Sequence, residues 1–425
     1  MYKQPKNWQV VSLDKLVNYI LDYRGKTPKK SKTGIPTLSA KSVKNNYIDY
    51  SEVYYISSEE YSNFMRKGLP NVGDVLLTVE APLGLSTLLD RDDVGLGQRI
   101  VTINGKNNVL ENRYLKFYLQ SPYGQHELQS RATGTTVTGI SQKNLRKINI
   151  ILPSYEEQEM IANLLSSFDD KIENNNAIIV NLEEQAQTIF KSWFVDFEPF
   201  QDGEFVESEL GLIPKDFSVV KLKEISTRRN GYSYKSKELN ELSDTNMITL
   251  KNFNRNGGIN FNATKPIDET ERMKDFHYLN SGDILIACTD LTQNAEVLGR
   301  TISYLKNEEF DREVYSMDLV KIEPDRIEDK MYIYYYLSSF VFKSFAEGVA
   351  TGTTVLHFPK KSIDEFKMIY PSSELINKFS NLIKPILLKQ NNLTLENKKL
   401  EEIRDTLLPK LMSGEIRVEE AVEVE

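Results

Sequence analysis

Residues that could do chemistry in this chain come in a few small groups, and most of the groups fail on spacing. Gly25-Lys26-Thr27 has the form of the end of a phosphate-binding loop. That loop needs a glycine five residues before Gly25, where the chain has Ile20, so the match is rejected. His126, His277 and His357 are far apart with no metal-ligand spacing, and Cys288 is the only cysteine, so each reads as a structural residue and no metal site is expected. Asp74 and Asp283 each follow a glycine ahead of an apolar run, and Glu80 lies six residues beyond Asp74, a faint likeness to the carboxylates of a metal-dependent nuclease. Two residues after Glu80, where that motif wants lysine, stands Pro82, and the second copy has Thr289 in place of Glu80. A Gly-Asp turn entering a strand accounts for the same residues, and no catalytic constellation is expected.

Basic loops are the stronger signal. Arg24, Lys26, Lys29, Lys30 and Lys32 crowd nine turn-like residues beside Tyr23, and Arg228, Arg229, Tyr232, Tyr234, Lys235 and Lys237 occupy the matching region further on. Lys41 and Lys44, and then Lys251 and Arg255, follow the next strand in each case. Arginine and lysine supply charge to a phosphate, while tyrosine adds a hydroxyl and a stacking face. Any single one of these side chains serves equally as a solvated surface residue; their recurrence at matching places is what points to nucleic acid. Arg131 to Ser141 is a further candidate, because Gly134 and Gly352 can expose backbone N–H groups to an anion and Thr135, Thr136, Thr353 and Thr354 can add hydroxyls. A tight turn feeding the next strand explains that stretch as well.

The elements that position these loops repeat. Pro5-Lys6-Asn7-Trp8-Gln9-Val10-Val11-Ser12-Leu13 returns as Pro214-Lys215-Asp216-Phe217-Ser218-Val219-Val220-Lys221-Leu222, and Asn71-Val72-Gly73-Asp74 returns as Asn280-Ser281-Gly282-Asp283, both 209 residues on. Ala132-Thr133-Gly134-Thr135-Thr136-Val137 recurs 218 residues on, so the second copy carries a net insertion of nine. Val75 to Val79 and Ile148 to Leu152 read as strands, and Tyr114 to Leu119 and Met331 to Phe345 as helices packed by aromatics.

Each copy ends in a long amphipathic helix. From about Glu156 to Glu198, Ile161, Leu165, Phe168, Ile172, Asn175, Ile179, Leu182, Ala186, Ile189 and Trp193 step alternately by four and three, the seam of a coiled coil. At an offset of 218, Phe379, Ile386, Leu393, Leu400 and Leu407 match Ile161, Phe168, Asn175, Leu182 and Ile189, so the chain supplies its own partner stripe. About 40 residues of helix span roughly 60 Å, enough for a spacer. Ser154 and Glu157 form a capping-box pair at its start, Pro199 is expected to close it, and Pro409 is expected to stop or kink the second helix near Leu408, with Gly414 the final stop.

The fold expected is therefore mixed α+β. Two duplicated globular domains, 1–153 and 213–371, are joined by a central helix, 154–200, and a linker, 201–212. A second spacer helix, 372–412, and an acidic tail, 413–425, complete the chain, and the two helices pair antiparallel about a pseudo-two-fold axis. A net charge of −8 conceals an uneven distribution: residues 1–153 carry +8 and residues 154–200 carry −8. Contact with nucleic acid is thus expected on the domains and not on the acidic helix. One cysteine, no signal-peptide run at Met1 to Lys6 and no membrane-length apolar stretch point to a cytoplasmic protein without a membrane partner.

Ile213 to Leu222, Lys191-Ser192-Trp193-Phe194-Val195-Asp196-Phe197, and Leu407 to Ile416 together resemble the DNA specificity subunit of type I restriction-modification systems, over essentially the whole chain. Arg24-Gly25-Lys26-Thr27-Pro28 and Gly231 to Lys237 are similar to segments of the same family. The resemblance implies two target-recognition domains on an antiparallel helix pair. It implies a non-catalytic subunit that binds double-stranded DNA and two modification subunits, and restriction subunits through them. S-adenosylmethionine would sit on the modification subunits and ATP and magnesium on the restriction subunits, with no cofactor on this chain. A coiled-coil scaffold that binds only proteins is the competing expectation, and it would not need basic loops in both domains.

Overall fold

The computed structural model describes residues 7–25, 27–134, 137–254, 258–290, 295–353 and 355–422. The chain divides into two compact units, Met1–Asn174 with Asn397–Glu425, and Asn175–Glu396. Two long helices, Tyr155–Phe194 and Ser373–Ser413, each contribute one half to each unit.

In the first unit a four-stranded antiparallel sheet runs in the order Val17–Asp22, Ile100–Gly105, Val75–Val79, Leu83–Leu88. All five residues of Val75–Val79 are buried, as a strand covered on both faces requires, and the helix Asn112–Gln120 contributes Tyr114, Leu115, Phe117, Tyr118 and Leu119 to the core. A smaller sheet, Lys30–Ser31, Tyr54–Ile56, Ile35–Leu38 and Gly95–Leu96, carries the basic loop, and its last pair is parallel. Gln9–Ser12 pairs with Asn149–Leu152, which leads directly into the first long helix.

The second unit repeats this frame. Its four-stranded antiparallel sheet has the order Ser226–Asn230, Leu319–Pro324, Ile284–Ala287, Thr301–Ser303; Thr245–Ile248 pairs in parallel with Arg312–Tyr315; and Ser218–Lys221 pairs with Lys367–Tyr370. The Gly-Asp motif is the same turn twice. Gly73 and Gly282 hold φ of +85° and +88°, and Asp74 and Asp283 accept the N–H of Asn71 and Asn280 at 2.9 and 3.0 Å. Asp74 also accepts from Tyr19 and Asn104, so its carboxylate is fully engaged in structure.

Each unit buries one half of the seam. Ile161, Ala162 and Leu165 share the first core with Leu408, Leu411 and Met412, and Ala186, Phe190 and Phe194 share the second with Ile376, Phe379 and Ile383, the antiparallel arrangement in both cases. The buried positions drift from the strict heptad: Phe190, Phe194, Leu387 and Leu408 are buried where the alternating steps named Ile189, Trp193, Ile386 and Leu407, which are only partly covered. A helix of 3.6 residues per turn falls behind a 3.5-residue repeat by about 20° per heptad, which moves the inner face by about one residue by Phe190 and Leu408, roughly four heptads from Ile161 and Phe379; Leu387, one heptad from Phe379, is not explained by this drift.

Several boundaries differ from expectation. The first helix ends at Phe194, with Phe197 in a left-handed conformation, φ +55°, ahead of Pro199. Ser154 caps its start through the Glu157 N–H at 3.2 Å, while the Glu157 carboxylate accepts from Trp8 Nε1 at 2.9 Å. Residues 201–212 include the hairpin strand Phe205–Ser208, paired with Gly211–Pro214, and Phe197, Phe200 and Phe205 pack with Phe217 and Ile213 in the second core. Pro409 does not end the second helix. The helix continues to Ser413, and Gly414, at φ +71°, terminates it. The stretch from Met331 to Phe345 is two helices, Lys330–Ser338 and Phe340–Gly348, broken at Ser339, as Ser121 separates Asn112–Gln120 from Pro122–Ser130.

Attachment of the globular core to the long helices differs between the copies. In the first unit Asp169 bridges Lys116 and Arg404, 2.8 Å from each, and the Lys116 side chain is only 6% exposed. Burial lowers the Lys116 pKa against the opposing pull of Asp169. The residues 218 positions away, Tyr334, Leu387 and Ala186, are uncharged. Removing one member of a buried ion cluster strands the others, whereas replacing the whole cluster by apolar groups is close to neutral. Asp169→Ala is therefore expected to cost about 3–5 kcal/mol. The triple change Lys116→Tyr, Asp169→Leu and Arg404→Ala should recover most of the loss. Guanidinium unfolding followed by Trp8 emission in a Trp193→Phe background checks this, and equal destabilisation by the single and triple changes would contradict it.

Candidate nucleic-acid interface

The sheet frame brings the basic loop and the Gly-Thr loop of each unit to one edge. In the first unit Gly139 bridges both Thr133 and Glu80, the residue following Val75–Val79, and Arg24 donates to the Ile140 carbonyl at 2.6 Å. Asp22, Arg24, Gly25, Lys67, Ser141 and Gln142 surround an open depression of about 510 Å³ there. In the second unit His357 bridges Thr351 and Thr289 in the same way, and Arg228 pairs with Asp364. Glu80 meets Arg99 at 3.4 Å.

The expected DNA-contacting residues divide into committed and uncommitted side chains. Arg24 forms an ion pair with Asp22 at 2.5 Å, and Arg131 with Glu127 at 2.8 Å. Arg228 makes a two-pronged pair with Asp364 at 2.8 and 2.9 Å, and the Asp364 hydrogen bonds raise its pKa. Arg229 pairs with Glu323 at 2.8 Å and lies over the Phe276 ring. Tyr232 is buried at 2% exposure, its hydroxyl 3.0 Å from Glu238 and 2.9 Å from Thr270, and Tyr234 is covered by the Lys265 ammonium. Lys44 folds back on the Lys41 carbonyl at 2.7 Å, and Lys30 lies 4.8 Å from the Tyr54 ring. Lys29, Lys32, Lys41, Lys235, Lys237 and Lys251 are exposed and form no ion pair among the described residues. Thr353 is exposed. Lys26, Thr135, Thr136, Arg255 and Thr354 lie outside the described residues.

The partner of Arg228 was not visible in the sequence because Asp364 is 136 residues away, whereas Asp22 and Glu127 lie two and four residues from Arg24 and Arg131. Lys67 also escaped notice, though it donates to the Asp22 carbonyl at 2.7 Å beside Arg24. Of the histidines, His126 and His357 are exposed, and His277 is buried with Nδ1 accepting the Lys274 N–H at 2.9 Å. No cluster of three potential metal ligands occurs among the described residues, and none of their helices is long and apolar enough to cross a membrane.

Comparison with known proteins decides the family. The family model for the type I restriction modification DNA specificity domain matches residues 5–184 and 214–404. The chain belongs to this specificity-subunit family. It is 29% identical over 430 residues to the type I restriction enzyme MjaIX specificity subunit of Methanocaldococcus jannaschii, an alignment covering 98% of this chain and 95% of that one. The HindI specificity subunit of Haemophilus influenzae is 24% identical over 77% of this chain and 82% of its own length. Among solved structures, the type I restriction-modification system S subunit from M. genitalium superimposes with a TM-score of 0.55 at 19% identity, covering 96% of this chain and 98% of that chain, and so shares the fold. As a specificity subunit the chain recognises DNA through two target-recognition domains and is not itself catalytic.

The Gly-Thr loop of the specificity subunit is a built turn in both copies. Gly134 and Gly352 hold φ of +110° and +112°, and a Cβ on either would fall 2.2 or 2.1 Å from the carbonyl oxygen three residues on. Reciprocal bonds close the loop, Thr133 N–H to Gly139 O at 2.8 Å and Gly139 N–H to Thr133 O at 3.0 Å. Gly134→Ala should cost more than about 1 kcal/mol and open this closure. Hydrogen exchange at the Thr133 and Gly139 amides should accelerate, while Gly348→Ala, with open space around its Cβ position, should leave exchange in its own unit unchanged. Unaltered protection in Gly134→Ala would refute a requirement for glycine.

Proposed function

We propose that each unit reads one half of an asymmetric, two-part target in double-stranded DNA. In this reading the chain positions two adenine-methylating modification subunits on that target and, through them, the restriction subunits. S-adenosylmethionine belongs to the modification subunits and ATP and magnesium to the restriction subunits; this chain supplies recognition alone. The observation that carries the reading is the pairing of one repeated frame with two unlike sets of loops. Both units hold the same four-stranded order, the same Gly-Asp turn and the same Gly-Thr closure. The loops the frames display differ in sequence, Lys26-Thr27-Pro28-Lys29-Lys30-Ser31-Lys32 in one against Tyr232-Ser233-Tyr234-Lys235-Ser236-Lys237 in the other, although both keep exposed lysines. Uncommitted lysines suit phosphate contact, which orients a protein on DNA without reading sequence. The paired arginines hold the loops in shape.

Replacing residues 213–371 by the corresponding domain of another specificity subunit should change one half-site and preserve the other. A methylation map of the host DNA is the measurement, and a change in both half-sites would refute independent reading. A protein-only scaffold would leave no sequence-specific methylation pattern tied to either domain.

Changing Lys26, Lys29 and Lys30 to Ala should weaken binding to specific and non-specific DNA alike and lower the salt slope by about 0.9 for each phosphate that is no longer neutralised. Fluorescence anisotropy of the assembled complex across a salt series checks this. Relaxed discrimination at one base with an unchanged slope would make these residues base readers instead.

A further inference from the structure

One element recurs in both units that the basic loops do not explain. After the strand Ile35–Leu38, Val43 bridges Ile48 antiparallel, and the Asp49 N–H returns to the Ser42 carbonyl at 2.7 Å. After Thr245–Ile248, Phe253 bridges Ile259, and the Asn260 N–H returns to the Asn252 carbonyl at 2.8 Å. These are the same hairpin, entered through Lys41-Ser42-Val43 and Lys251-Asn252-Phe253. Its base is buried in each case: Ser42 and Val43 at 0% exposure, Asn252 at 1% and Phe253 at 4%. The tips differ in sequence, Lys44-Asn45-Asn46-Tyr47 against Asn254-Arg255-Asn256-Gly257-Gly258.

In the first unit the tip is fastened. Asn45 Oδ1 accepts the Ser86 N–H at 3.1 Å, the Asn46 N–H donates to the Ser86 carbonyl at 3.2 Å, and Gln120 Nε2 donates to Asn46 Oδ1 at 2.9 Å. Asn46 takes φ +71° to do so. These bonds cover the free edge of Leu83–Leu88, which accounts for the two asparagines. They do not account for Tyr47, a residue 59% exposed on a hairpin whose backbone is held at Asn46 on one side and at Asp49 on the other. A tyrosine so held offers a donor, an acceptor and a flat apolar face at little further entropic cost, the properties needed to read a base edge or a thymine methyl in the major groove.

We propose that this hairpin is the base-reading element of the first target-recognition domain and that Tyr47 is a specificity-determining residue for one base pair of its half-site. The inference rests on the reading of each unit as a half-site reader. The test uses the full chain assembled with its modification subunits, and the readout is the methylation motif of the host DNA. Tyr47→Ala should relax one base pair of one half-site by about tenfold, since a good base contact gives roughly 1–3 kcal/mol of discrimination, and should leave the other half-site and the melting temperature unchanged. Tyr47→Gln, which keeps polarity but changes the hydrogen-bonding pattern, should alter preference at the same base pair, and it carries the test if the alanine variant fails to assemble. Wild-type motifs in both variants, or relaxation in both half-sites at once, would overturn the proposal. A wild-type complex that yielded no two-part motif would instead defeat the underlying reading of the two units.

Discussion

An apolar stripe on a helix about 60 Å long cannot remain in water, and the rest of the chain is arranged around covering it. Neither globular core could bury such a stripe alone. The solution is to give each core one half of each helix, so that Ile161 and Leu165 close over the first core with Leu411, and Phe190 and Phe194 over the second with Phe379. Phe190, Phe194, Tyr332, Tyr336 and Phe379 form a cluster of mostly edge-to-face rings with centroids 4.9–6.1 Å apart, so the seam and the second core are one hydrophobic body. Within the second unit the apolar run is interrupted by Asn175, buried and donating to Glu396 at 3.2 Å, and by Gln390, donating to the Ile179 carbonyl at 3.3 Å and to Glu183 at 3.1 Å. Polar groups at core positions tolerate few registers, so they select one alignment of the antiparallel pair at some cost in stability.

Duplication kept what the frame needs and released the remainder. The strand that must be buried on both faces, the left-handed glycine before it, the serine that breaks the aromatic helix and the closure of the Gly-Thr loop recur because each is a backbone requirement with few solutions. Side chains with many solutions diverged. The Lys116–Asp169–Arg404 cluster of the first unit has the uncharged residues Tyr334, Leu387 and Ala186 at the corresponding positions of the second, a change that the near balance between buried ion pairs and apolar residues permits.

The features legible in the sequence were those set by short-range periodicity or by the repeat. The duplication, the long helices, the strand after each Gly-Asp turn and the antiparallel pairing could all be read from Ile161 to Trp193 and from the matched blocks. Proline misled. Pro409 removes one backbone donor, yet the packing of Leu408, Leu411 and Met412 carries the helix past it, because burial of the stripe outweighs the local preference. The stretch expected as a linker differs for the opposite reason. Two of its acidic residues, Glu207 and Glu209, lie on a hairpin, and the aromatics that anchor the stretch, Phe197, Phe200 and Phe205, belong to a core that only the fold reveals. At the candidate site the sequence showed where basic residues gather but not which of them are already paired, since Arg24, Arg228 and Tyr232 look the same in sequence whether they face solvent or a carboxylate within the fold.

That distinction governs what the basic loops can do. An arginine held by two hydrogen bonds to Asp364 contributes little net field beyond its neighbourhood, and releasing it to a phosphate would leave the carboxylate behind, unpaired and close to the incoming anion. The lysines carry no such penalty. Lys29, Lys32, Lys235 and Lys237 keep their charge in solvent on flexible stems, so counterion release is open to them without loss of internal structure. On the proposed function the loops would separate two roles by residue type: arginine–carboxylate pairs would fix the shape on which recognition depends, and lysines would supply a field that follows the ionic strength. Phosphate contact by a mobile lysine carries no sequence information, so discrimination between bases requires side chains mounted firmly enough to meet a base edge in one geometry.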